Sequence, residues 1–239
     1  MVGKSQIKFI KSLQQKKFRN EHQLFVVEGK KTVQELIDAG IETYNIYSTD
    51  LSFAENQKYP VIHIKAIDLK QISNLATPNG YLGVFKIPKA KKIAVEDWVL
   101  ALDTINDPGN LGTIIRLCDW FGIKHIVCAN NTVDCYNPKV LQATMGSIAR
   151  VQLTYTDLVD FLKTTEIPIY GAFMDGTPVQ KTNFSKKGIL VMGNEANGIS
   201  EAIAALITEK VSIHQFGENT AESLNVATAT AILLHEIRR

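Results

Sequence analysis

Hydrophobic positions along the chain follow two periods, and the switches between them outline its elements. Residues 5–17 place Ile7, Ile10 and Leu13 on one side with lysines around the rest, which predicts an amphipathic helix. LFVVEG (24–29) predicts a short strand, and the KKTVQELIDAG that follows predicts a helix closed by Gly40 at its C-terminal cap. YNIYST (44–49), PVIHI (60–64) and GYLGVFKI (80–87) predict further strands, with helices near 50–57 and 66–75. KIPKAKKIAVED then carries Pro88, many charges and no period. It predicts a linker at about 86–95, between a small α/β domain (1–88) and a second domain (95–239).

The second half alternates again. WVLALDTI (98–105), HIVCAN (125–130), RVQLTY (150–155), IPIYGAFM (167–174), GILVMG (188–193) and KVSI (210–213) predict strands. Nearly continuous apolar runs suit strands covered on both faces, hence a mostly parallel sheet with helices on either side. Intervening helices fall near 110–121, 138–146, 157–164, 199–207 and 223–237. The fold class is α/β, with no internal repeat and no low-complexity tract.

Composition narrows the class. With 45% hydrophobic and 21% charged residues, the 239-residue chain has ample apolar surface to fold around. No run approaches the roughly 20 apolar residues that span a bilayer. Lysines are scattered where a signal core would lie, so no secretory leader is expected. Three cysteines, Cys118, Cys128 and Cys135, form no C-x-x-C pair and fit buried thiols in a reducing cytoplasm rather than a disulfide framework or zinc site. The net charge of +2 hides an asymmetry. Residues 1–92 carry 15 basic against 8 acidic groups, a net of +7, while residues 93–239 carry 11 against 16, a net of −5. The excess is densest over residues 1–31, with a second cluster at Lys86, Lys89, Lys91 and Lys92. Such a split predicts two domains with different partners, the basic one meeting a polyanion. A solvated helix face is the plain alternative.

G-x-G-x-x-G, G-x-x-x-x-G-K-[ST] and G-x-S-x-G are all missing, and the five histidines have no metal-ligand spacing. Three loop-to-helix junctions stand out instead, each after a strand of the second half. In DTINDPGNLGTIIRLCDWFGI (103–123), Pro108 and Gly109 force a turn and Asn110 can cap the helix. Leu111, Ile114, Ile115 and Cys118 form a buried stripe there, while Thr113, Arg116 and Trp120 share the other face. GILVMGNEANGIS (188–200) runs a strand into a turn-prone loop holding one carboxylate, Glu195. In AESLNVATATAILLHEIRR (221–239), Ser223 can cap the last helix and Asn225 sits in its first turn. Each junction alone reads as a structural turn and cap. Three at one sheet edge, where open α/β sheets bind ligands, point to a site.

Asn110 and Arg116, Gly193-Asn-Glu-x-x-Gly198, and Ser223-Leu-Asn225 before an alanine-rich helix resemble the three signature motifs of the SpoU-type (TrmH-like) RNA ribose 2′-O-methyltransferases, within the SPOUT superfamily. The match runs over about 97–239. The first half, with FVVEGKKTVQELIDAG, is similar to the ribosomal-protein-like α/β substrate-binding domain often found before it.

The resemblance implies a trefoil-knotted catalytic domain, a homodimer, S-adenosylmethionine as methyl donor, and ribosomal or transfer RNA as acceptor. It implies that Met192, Gly193, Asn194, Gly198, Ile213, Gln215 and Leu224 hold the cofactor. It assigns Arg116, Asn110, Glu195, Ser223 and Asn225 to catalysis, and the basic first domain, through Lys16, Lys17, Arg19, Lys30 and Lys31, to RNA binding. In-line transfer to a hydroxyl requires alignment and help with one proton, with no metal. A general-base role is suggested for the counterpart of Arg116. Guanidinium groups stay charged at neutral pH, which favours a phosphate ligand instead. Ile213-His214-Gln215 stands where many relatives have Ile-Pro-Met, and Gln142 and Thr144 stand where an arginine and a serine are frequent. The alternatives are a base-modifying enzyme of the same superfamily, or a non-catalytic RNA-binding or assembly protein on the same fold.

Overall fold

The structure is a computed structural model that describes residues 2–54, 59–89, 93, 95–217 and 222–239. Lys91 and Lys92 of the second basic cluster, the end of the helix expected near 50–57, and part of the 216–222 loop lie outside the described residues. The chain divides into two compact units, Met1–Lys89 with Asp134–Ala149, and Ala90–Val133 with Arg150–Arg239.

The first unit opens with α1 (Lys4–Ser12) and α2 (Lys16–His22), where the sequence predicts a single helix over 5–17. Arg19 is the reason for the break. Arg19 is 2% exposed, and its guanidinium donates to the carbonyls of Leu13 (2.9 Å) and Gln14 (2.6 Å), taking up groups that end α1. It also pairs with Asp134 at 2.5 Å. The expectation that Arg19 binds RNA is therefore corrected, since the side chain is buried and its donors are committed inside the unit.

Then follow β1 (Leu24–Glu28), α3 (Lys30–Asp38), β2 (Thr43–Ser48), α4 (Leu51–Ala54), β3 (Val61–His63), α5 (Ala66–Ile72) and β4 (Tyr81–Lys86). The sheet order is β1-β4-β2-β3; β4 is antiparallel to both neighbours, while β2 and β3 are parallel. One core cluster holds Ile10, Leu13, Tyr47 and Leu82, and another Phe25, Val33, Leu36 and Phe85. Leu141 belongs to the second cluster and Tyr136 packs against it, its ring 4.6 Å from that of Phe25. Residues 134–149, read from the sequence as part of the 95–239 domain, thus pack in the first unit.

The second unit contains β5 (Val99–Leu102), α6 (Pro108–Trp120) and β6 (His125–Ala129), after which α7 (Pro138–Thr144) belongs to the first unit. The chain continues through β7 (Gln152–Thr156), α8 (Leu158–Lys163), β8 (Ile169–Pro178), β9 (Ile189–Met192), α9 (Glu201–Ala204), β10 (Glu209–Ser212) and α10 (Val226–Arg238). Its six strands lie in the order β10-β8-β9-β5-β6-β7, and every pair is parallel. The central strands VLAL and ILVM are buried at each position, as expected of strands covered on both faces. The chain runs outward one way through β5, β6 and β7, then crosses to β8 on the other side of β5, steps inward to β9 and passes out to β10. The reversal falls between β5 and β9, and ligands gather outside the carboxyl ends of strands at such a switch point. Among the described residues no helix is long and apolar enough to cross a membrane.

Candidate active site at the edge of the parallel sheet

Both strands at the switch point feed loops that are tied together by side chains. After β5, Asp103 is 6% exposed and accepts from the Ser200 N–H at 2.7 Å. Thr104 adopts φ +62°, and its carbonyl accepts from Asn194 Nδ2 at 2.7 Å. After β9, Gly193 can only be glycine, because a Cβ there would stand 2.2 Å from the backbone of Gly198. The loop folds back so tightly that Asn194 and Gly198 exchange backbone hydrogen bonds of 2.8 and 2.9 Å.

Helix α6 starts earlier than its sequence suggests. Asp107, not Asn110, is the N-cap, accepting from the Asn110 N–H at 2.8 Å, with Pro108 in the first turn. The Asn110 side chain is left free to donate to Glu195 at 3.0 Å and to accept from Asn225 Nδ2 at 2.9 Å. Asn225, not Ser223, caps α10, its Oδ1 accepting from Ala227 (2.9 Å) and Thr228 (3.3 Å). Glu195 also accepts from the N–H groups of Asn106 and Asp107, both at 3.3 Å. Burial alone would raise its carboxyl, but the Asn110 amide and these backbone donors hold it below the usual carboxylate value. One chain of hydrogen bonds thus links all three motifs, with Asn110 joining Glu195 to Asn225.

Two cavities meet at this network. The first, about 500 Å³, lies between the middle of β8 (Ala172, Phe173, Met174), the loops at 192–198 and 213–215, and α10. Every residue expected to hold the cofactor, namely Met192, Gly193, Asn194, Gly198, Ile213, Gln215 and Leu224, lines it. The second, about 520 Å³, is lined by Asn106, Asp107, Asn110, Asn225 and others, and shares Asn194, Glu195, Ala196, Ser223, Leu224 and Val226 with the first. Arg116 lines neither. It is exposed on α6, forms no ion pair among the described residues, and shares a face with Trp120, which is 84% exposed. The opposite stripe of Leu111, Ile114, Ile115 and Cys118 is fully buried, as its spacing predicts.

The sequence model described as the SpoU rRNA Methylase family matches residues 97–235. The chain belongs to that family. Residues 4–83 match the MRM3-like substrate binding domain. Over 97% of this chain and 95% of its relative, the SpoU chain is 30% identical to the 23S rRNA (guanosine(2553)-2′-O)-methyltransferase RlmP of Bacillus subtilis. A solved TrmH-family protein from Porphyromonas gingivalis is 39% identical with a TM-score of 0.92, covering 100% of this chain and 98% of that one. The rRNA methyltransferase of Sinorhizobium meliloti, solved with AdoMet bound, is 28% identical with a TM-score of 0.88, covering 100% and 96%.

The geometry adds residues to those the SpoU motifs name. Asp107 begins the helix that presents Asn110, and an aspartate before proline is a legible helix start. Phe173 and Met174 line the first cavity from β8, and Ala229 and Leu233 line it from α10. No motif marks Phe173 or Met174, because they matter by their position along β8 rather than by chemistry.

In the first unit, Lys16 and Lys17 are exposed on α2. Lys30 and Lys31 begin α3, with Lys30 3.7 Å from Asp50 and its ammonium 5.3 Å from the centre of the Tyr81 ring. The Ser52 and Tyr81 hydroxyls hold the Asp50 carboxyl at about 2.

Proposed function

We propose that this SpoU-family chain transfers a methyl group from S-adenosylmethionine to a ribose 2′-hydroxyl of ribosomal RNA. The observation that carries this reading is the pair of adjoining cavities with a shared wall at Asn194, Glu195 and Ser223. A donor in one and an acceptor nucleotide in the other would meet across that wall, which is the alignment a direct displacement needs.

The first cavity fits the cofactor. Its volume lies in the range of small-molecule sites, its lining is mostly apolar, and a folded-back glycine loop offers backbone groups. Phe173, Met192, Ile213, Leu224 and Leu233 would cover the adenine and the thioether side, while the backbone at Gly193, Ile213 and Leu224 would bind polar atoms. When bound, the cofactor supplies an electrophilic methyl on a sulfonium. Glu195 fixes Asn110, and Asn110 in turn fixes Asn225, so that the acceptor nucleotide meets fixed amides. Arg116 binds the phosphate beside the target ribose, a role that suits an exposed cation without an acidic partner among the described residues.

Because Arg116 lies outside both cavities, a homodimer that brings another copy's site to α6 completes the reading, and the exposed Trp120 beside it suits such an interface. A trefoil knot fits the strand reversal and the packing of α10 against α6. A cytoplasmic place and a ribosomal substrate are supported by the Bacillus relative.

The test is transfer of labelled methyl from S-adenosylmethionine into total RNA of cells lacking this gene, digested to nucleosides. Label is expected in a 2′-O-methylnucleoside, with at least a hundredfold loss for Arg116→Ala and cofactor affinity kept within twofold. Label on a base would overturn the ribose specificity, and absence of label would favour a non-catalytic binder.

A further inference from the structure

The first unit holds a second concave site that methyl transfer leaves without a role. Segments 26–32, 74–79 and 137–145 enclose a cavity of about 640 Å³. Three ammonium groups, Lys30, Lys31 and Lys139, stand there against one carboxylate, Glu28. That carboxylate is already engaged by the Ser73 hydroxyl and by the Asn74 N–H at 2.8 Å. Lys30 and Lys31 have acidic neighbours, Asp50 at 3.7 Å and Glu35 at 4.0 Å. Lys139 is exposed and has no ion pair among the described residues. The side-chain amides of Asn79 and Gln142, also exposed, form no hydrogen bond among the described residues. Leu75, Leu141 and Met145 add apolar wall, Met145 being 47% exposed.

Lys139, Gln142 and Met145 come from the excursion Asp134–Ala149, which lies within the span matched by the SpoU family yet packs in the first unit. The excursion is anchored at its start by Asp134 on Arg19, in its middle by Tyr136 and Leu141 in the core, and at its end by Gly146. At Gly146, φ is +97° and a Cβ would stand 2.8 Å from Glu35. Three anchors on sixteen residues hold the exposed groups between them in fixed positions, which is what a binding wall requires.

Resting on the RNA reading above, we propose that this cavity takes one unstacked nucleotide of the RNA substrate. Its phosphate meets Lys31 and Lys139, its base lies against Leu75 and Met145, and the amides of Asn79 and Gln142 face its edge. The chemistry selects for such a ligand on three counts. The exposed Lys139 ammonium, with no ion pair among the described residues, beside a carboxylate already engaged favours an anion. Free amides that both donate and accept suit a base edge. A cavity of this size admits one splayed nucleotide but not a stacked helix, and RNA sequence is read mainly on unstacked bases. The family's match to a substrate-binding domain ends at residue 83, so Lys139 and Gln142 lie outside it.

The experiment uses the full chain and fragmented ribosomal RNA. After ultraviolet cross-linking and trypsin digestion, the peptide Val140–Arg150 is expected to carry a nucleotide adduct. Lys139→Ala and Gln142→Ala should each weaken RNA binding three- to tenfold, while cofactor affinity stays unchanged. Lys139→Arg should restore most of the loss, and Lys31→Ala with Lys139→Ala should lower the salt slope of binding by about 2. Lys163→Ala, an exposed lysine on α8, should change nothing. Adducts confined to α1 and α2 peptides, with wild-type affinity for both Lys139→Ala and Gln142→Ala, would overturn the cavity while leaving the methyltransferase reading intact. Wild-type binding and adducts at 140–150 without methyl transfer would do the reverse. A wild type that binds no RNA would overturn both.

Discussion

The two sheets place their polar groups in different ways, and strand direction accounts for the difference. In the second unit six parallel strands send all their carboxyl ends to one edge, so the loops after β5, β9 and β10 converge. Asp103 holds the Ser200 N–H there, and Glu195, Asn110 and Asn225 are joined in turn by hydrogen bonds, while the strands behind them stay apolar. In the first unit β4 runs against both neighbours, strand ends point both ways, and no single edge collects the loops. Cations spread over α2 and α3 instead, and Arg19, a charged group taken inside, serves packing. A parallel sheet concentrates chemistry at one place, whereas the mixed sheet offers a surface.

The largest expected effect breaks the first unit alone. Arg19→Ala removes a buried guanidinium, strands Asp134 and leaves the Leu13 and Gln14 carbonyls without their donor. Removing one partner of a buried pair costs about 3–5 kcal/mol. Both tryptophans, Trp98 and Trp120, lie in the second unit, so their fluorescence reports that unit only. Amide hydrogen exchange in β1 and β4 should accelerate strongly, while the urea transition followed by tryptophan moves little. A variant with native exchange and weakened RNA binding would restore Arg19 to the RNA surface.

A smaller effect separates the second unit's edge by its pH dependence. Glu195→Gln removes a charged acceptor shared by Asn110, Asn106 and Asp107. Such hydrogen bonds contribute about 1 kcal/mol once discounted for exposure. The folded-state carboxyl is lowered from 4.5, so the stability it confers is full above that value and is lost as pH falls through the lowered one. Urea unfolding at neutral pH should therefore separate wild type from Glu195→Gln, and the gap should close in acid. A gap that widens in acid would mean that Glu195 is not held as the anion.

The sequence made the parallel sheet legible because its strands are continuous apolar runs, and helix α6 because its stripe repeats at helical spacing. Its motifs named the residues of the Glu195 network without their connections. Asn110 and Asn225 read as a cap and a first-turn residue, yet Asp107 and Asn225 are the caps, since which side chain bonds the first amides depends on a shift of two or three residues in where each helix starts. Arg19 read as one more cation in a basic run. Its burial depends on Asp134, 115 residues away, and no local pattern carries that. The packing of 134–149 in the first unit was hidden for the same reason.

The smallest expected effect concerns Thr104, where a β-branched residue holds φ +62° at the head of the β5 loop. A left-handed backbone costs a non-glycine residue about 1–2 kcal/mol. Glycine would remove that cost but adds about 0.5–1 kcal/mol of chain entropy to be lost on folding. The hydroxyl's 3.3 Å bond to Asp103 is long and contributes little against the difference. Thr104→Gly should thus stabilise the second unit by about 0.5–1 kcal/mol, raising its melting temperature by about 1–4 °C. The group that meets Asn194 is the Thr104 carbonyl, which any residue supplies, so methyl transfer should stay within twofold of wild type. Lower stability would show that the Asp103 contact outweighs the backbone strain. Higher stability with lost transfer would show instead that the strain itself holds the two loops in register.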